Sequence, residues 1–185
     1  MRNSQATTKP GASVETLAGD MCALLEAMLV EHRAMIAVVE RRKEALRRAR
    51  INDLNACIAE ESVIAQRIAH IDQRRDAVVR QLVPLLGGAP IGSPRGWRPT
   101  AEWLAPRIGG PLGERVRAVA GKLREAIESL RAANASTREA AETVARHIQG
   151  IVRSVEQRLS GSGAYTNRGV VSAAPSALCG VDLTS

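Results

Sequence analysis

Three histidines, three cysteines and a few clustered carboxylates are the residues of this chain with the chemistry for catalysis or metal binding. His32, His70 and His147 stand on three separate stretches of helical pattern, where an imidazole is far more often a packed side chain than a base or ligand. Cys22, Cys57 and Cys179 are odd in number and far apart, and no Cys or His lies at a metal-ligand spacing. Neither a metal nor a cofactor is expected. Glu60-Glu61, Asp72 and Asp76 read as surface carboxylates answering Arg at i+3 or i+4, Asp76 with Arg80 for example, and form no acid-base pair. Ala120-Gly121-Lys122 has a phosphate-loop flavour, but Val116 stands where that motif needs its leading Gly and Leu123 where it needs a hydroxyl. The chain is expected not to be an enzyme, with no catalytic residue.

What remains is binding. The chain of 185 residues carries 26 Lys and Arg against 19 Asp and Glu, a formal charge of +7. A balance this basic invites a nucleic-acid reading. The excess is spread, however: 13 basic and 11 acidic groups before residue 88, three and one over 88–111, ten and seven after it. The densest cluster, at 41–50, surrounds Glu40 and Glu44 at the end of a helical pattern, where cations also suit the helix dipole. With no Phe, one Tyr and two Trp there is no stacking platform, and no nucleic-acid partner is expected. Residues 1–15 contain no apolar core of a signal peptide, and Glu26 breaks the one strongly apolar stretch, 24–30. A cytoplasmic protein without stable membrane insertion is expected.

The elements that position the binding residues are helices, since aliphatic residues and Ala supply nearly all the apolar mass. After a loose tail, 1–12, Ser13 offers an N-cap. Val14, Leu17, Met21, Leu24, Met28, Met35 and Val38 recur at helical spacing, widened by Leu25, Leu29, Ile36, Val39 and Leu46. The rhythm lapses at 50–53, where Asn52-Asp53 predicts a turn and a new cap, then resumes from Leu54 to Leu82 and stops at Pro84 and Gly87-Gly88. Residues 13–83 are thus an antiparallel hairpin. The segment 84–111 is a Pro/Gly-rich loop holding Trp97 and Trp103, with a short turn of helix from Thr100 to Leu104; the two Trp either pack this loop onto the helix ends or touch a partner.

From 112 to 160 a third helix carries Val116, Leu123, Leu130, Thr137, Val144 and Ile151 seven apart. Ala120, Ile127, Asn134, Ala141, Ile148 and Val155 occupy the alternate positions. Asn134 and Thr137 interrupt that seam at its centre, either as a buried register device or because this part of the face is built for a partner. Residues 161–185, with Tyr165, read as a flexible tail. The fold class is all-α: a hairpin plus a third long helix in a coiled-coil-like bundle with flexible ends.

This layout resembles the FlgN-type flagellar export chaperones. The features that match are the Leu-rich first helix from Leu17 to Leu46, the break at 51–54, and the charged run 68–82. In the last helix and tail they are Asn134 within SLRAANASTREA, and Tyr165 and Gly169 followed by GVDLTS. The resemblance implies a cytoplasmic chaperone of flagellar type III export. Its partners would be hook-associated (hook-filament junction) proteins, which it keeps from premature assembly, and the export-gate protein to which it delivers them. A helix-in-groove complex would cover the client's apolar stripe. Asn134, Thr137, Ala141, Val144, Ile148, Ile151, Val155 and Leu159 form the expected client surface, and Tyr165 the expected gate contact. A monomer or weak dimer is expected. The alternatives are a structural homo-oligomeric coiled coil, with the third helix buried between copies, and a basic helical nucleic-acid binder.

Overall fold

Ser13 has the extended backbone of an N-cap, and its Oγ accepts a hydrogen bond from the Thr16 amide at 3.2 Å. These geometries come from a computed structural model, which describes residues 13–94 and 96–161. Helix α1 runs Val14–Arg47 and buries Leu17, Met21, Leu25, Met28 and Val38 along its apolar stripe. It ends in a Schellman motif: the Arg50 amide donates to the Ala45 carbonyl at 2.9 Å and the Ala49 amide to Leu46 at 3.1 Å. Ala49 takes the left-handed position of that motif, φ 52°.

Helix α2, Ile51–Leu85, follows at once. The cap expected from Asn52-Asp53 is not formed: Arg50 is the N-cap residue, without a side-chain cap bond, and both polar residues lie inside the first turn. There Asp53 meets the positive helix end and pairs with Arg50 at 3.0 Å, so its carboxylate serves the helix from within. The hairpin register is set by Arg67 with Glu31 at 3.0 Å, Arg41 with Glu60 at 2.7 Å and Arg42 with Glu61 at 2.5 Å. Pro84 is carried in the last turn, and Gly87, φ 95°, closes the helix in a second Schellman motif.

Helix α3, Ala101–Ile108, is capped as expected by Thr100, whose Oγ1 accepts from the Trp103 amide at 3.3 Å, but continues past Leu104. Trp97 packs edge-on to Trp103 with centroids 5.0 Å apart, and Arg107 lies 4.2 Å over the Trp103 ring. Trp103 packs in turn against Leu17, Leu82 and Leu104, so the loop is pinned to the helix ends.

Helix α4, Gly110–Gly161, is continuous. Gly113 permits the turn into it: a Cβ there would stand 2.3 Å from the Ala105 carbonyl oxygen. Three ties fix the direction of α4: Cys22 Sγ to the Leu112 carbonyl, Arg115 to Glu26 at 2.7 Å, and Arg42 to Asn134 Oδ1 at 3.0 Å. Positions on both helices rise together, so α4 up to Ala140 runs parallel to α1 and antiparallel to α2. The core joins Met21, Cys22, Leu25, Met28 and Leu29 to Val116, Val119, Leu123 and Ala126. Burial of each large aliphatic side chain here is worth about 1.5–3 kcal/mol.

The chain divides after Ala140 into two units. Among the described residues there is no strand, and no helix is long and apolar enough to cross a membrane.

Candidate protein-binding site

Which face of α4 is free depends on how its heptads are used. Val116, Leu123 and Thr137 are buried, with Leu130 half-buried between them. The alternate line is a correction: the buried residues are Val119, Ala126 and Ala133, not Ala120, Ile127 and Asn134. At 3.6 residues per turn, positions three and four residues on lie on opposite sides of a seam. The +3 side, with Val119 and Ala126, closes on α1. The +4 side is left with Ala120 and Ile127 half-buried.

Asn134 is therefore not a buried register residue. It is exposed and accepts a hydrogen bond from Arg42, whose other nitrogen donates to Glu61, so one guanidinium ties α1, α2 and α4 together. Thr137 is 5% exposed, and its Oγ1 donates to the Ala133 carbonyl of its own helix at 2.8 Å. The other expected client residues belong to the second unit, taken by itself. Ala141 is exposed, Val144 half-buried, Ile148, Ile151 and Val155 about half exposed, and Leu159 72% exposed. Their steps of three and four place them on one helical face, widened by Val152. Tyr165 lies outside the described residues.

Many of the charged residues form ion pairs within the fold. Of the 41–50 cluster, Arg41, Arg42, Lys43, Arg48 and Arg50 all meet carboxylates. Asp76 bonds Arg75 at 2.8 Å and approaches Arg98 at 3.7 Å; no ion pair with Arg80 forms. The Arg75 hydrogen bond holds the Asp76 carboxyl below its ordinary range. Glu61 goes the other way: burial raises it more than Arg42 lowers it, and its Oε1 has no partner among the described residues. Burial likewise pushes the Cys22 thiol up. His32 is buried with Nδ1 against the Met28 carbonyl, while His70 and His147 are exposed. Among the described residues, no group of three or more His, Cys, Asp and Glu is placed to hold a metal.

A second surface escaped the sequence reading. Ala120 and Ile127 line a cleft of about 490 Å³ between α2, the residues that lead into α3, and α4, with Arg75, Arg98, Arg124 and Arg131 and the carboxylates Asp76 and Glu128 around it. The only signal for it was the apolar +4 line, which periodicity assigns to a closed seam.

A helical hairpin and a parallel third helix, packed through long apolar faces, define an all-α helical bundle. The chain matches the family model described as FlgN protein over residues 18–173, and it belongs to that family. FlgN proteins are flagellar export chaperones, a chaperone family and not an enzyme family, with protein partners. No curated protein and no solved structure gave a match.

Proposed function

We propose that this chaperone acts in the cytoplasm on hook-filament junction proteins, covering their apolar terminal helices before secretion and delivering them to the type III export gate. The observation that carries the reading is the exposed apolar stripe Ile148, Ile151, Val155 and Leu159 on one helical face. A stripe of this kind is what a helix-in-groove or helix-on-helix complex covers. Ala141 and Val144 extend the client surface toward Asn134 and Thr137. Because Thr137 is buried and Asn134 bonded to Arg42, the distal residues provide most of the contact. Tyr165, a lone aromatic, serves as the export-gate anchor. The free protein is a monomer or weak dimer.

Co-expression with the junction proteins of the same source, followed by pull-down and light scattering, tests the reading. The expected result is a stable complex that resists moderate salt and is lost in Ile148→Asp with Val155→Asp. A tight homo-oligomer that binds no junction protein would instead assign the stripe to self-association and the chain to the structural coiled coils.

A further inference from the structure

Along α4 the grip of the hairpin changes after Ile127. Up to that point large side chains hold the helix: Val116, Val119 and Leu123 are buried with α1, and Ile127 packs against the same core. From 128 to 140 the buried residues are Ala133 and Thr137, with Leu130 half-buried, so much less apolar area holds this stretch down. Ser129 stands at the change. Its Oγ donates to the Glu125 carbonyl one turn back at 2.9 Å, a bond that weakens and bends helices. Asn134, Ser136 and Thr137, all weak helix formers, follow it.

The tie to the hairpin in this stretch is polar. Arg42 donates to Asn134 Oδ1 at 3.0 Å and to Glu61 Oε2 at 2.5 Å, and the Arg42 and Glu61 side chains are 23% and 17% exposed. Glu61 Oε1 has no partner among the described residues, so the pair is kept at a desolvation cost. Letting α4 go orphans none of these groups. Arg42 keeps Glu61, the exposed Asn134 returns to water, and the Thr137 hydroxyl keeps its bond to the Ala133 carbonyl of its own helix. We propose that residues 128–140 are a latch: Arg42 holds them on the hairpin in the free chaperone, and client binding releases them, so that Leu130, Ala133 and Thr137 join the residues the client covers. Leu130 and Thr137 belong to the same seven-residue series as Val144 and Ile151. The latch rests on the client reading above and gives that site its regulation, since a closed latch lowers the apparent affinity by the fraction of chains that are open.

The full chain and the junction proteins of the same source test it. With Cys22, Cys57 and Cys179 replaced by Ala, spin labels at Ala37→Cys on α1 and Ala135→Cys on α4, both exposed positions, report the distance between the two helices. One short distance is expected in the free protein and a longer one once a junction protein is bound. Arg42→Met with Glu61→Met removes the clasp without leaving a lone charge. It should show the longer distance with no client present and bind the client at least about threefold tighter. If circular dichroism shows that this variant does not fold, Asn134→Ala, at an exposed position, should give the longer distance in its place. Client binding with an unchanged distance overturns the latch alone, and so does unchanged or weaker affinity in the folded Arg42 and Glu61 variant. A parent chain that binds no junction protein overturns the client reading itself, and the latch with it.

Discussion

Ala49 holds a left-handed conformation that ordinarily falls to glycine, because the turn from α1 into α2 leaves only three residues for the reversal. The left-handed strain costs about 1–2 kcal/mol, against about 0.5–1 kcal/mol for the greater unfolded-state freedom of glycine. Ala49→Gly should therefore stabilise by about 0.5–1 kcal/mol, read as a higher urea midpoint with an unchanged slope. Gly113 is the opposite case. Its missing Cβ makes room for a backbone carbonyl, which has no flexible end to move aside, so Gly113→Ala should cost about 1–3 kcal/mol in the same experiment. The Asp76 carboxyl is lower in the folded protein than in the unfolded chain. Its stabilisation is complete above the ordinary carboxylate range and disappears as pH falls through the depressed value. In melting curves from pH 7 to 3, Asp76→Asn should show a shallower acid limb than the parent. Glu61 works against this trend, since its raised value means that ionisation there costs stability as pH rises.

At the scale of elements, α4 is one helix with two kinds of apolar residue. Val116, Val119, Leu123 and Ala126 are buried with α1, whereas Ile148, Ile151 and Val155 are about half exposed. Ile148→Asp with Val155→Asp should accordingly keep far-UV helicity and shift the melting temperature by less than a core substitution does, while client capture is lost. A collapse of helicity would return those residues to the core. The sequence was legible here where the pattern is long: Ser13, Thr100 and the unbroken heptads all mark helices that form. It misled at Asn52-Asp53, because a residue that caps well also sits well in a first turn when a neighbour such as Arg50 offers it a partner. It misled again at Asn134, because heptad counting assigns a position to a seam without knowing on which side the neighbouring helix lies.

For the molecule as a whole, the proposed function makes binding a client and releasing it at the gate separable. Tyr165→Ala should leave client affinity unchanged and lower the amount of junction protein secreted; unchanged secretion would remove the gate contact. What the sequence determined by itself is the all-α class, the hairpin and the third helix, since these follow from composition, caps and periodicity that act within tens of residues. The FlgN likeness was readable from the same run of features, and the family match confirms it. Only the tertiary structure decided that α4 lies parallel to α1, that Arg42 engages Asn134, and that Ala120 and Ile127 border an open cleft. Those outcomes depend on contacts between residues about ninety positions apart, where a three-residue or four-residue step is equally helical and packing alone selects between them.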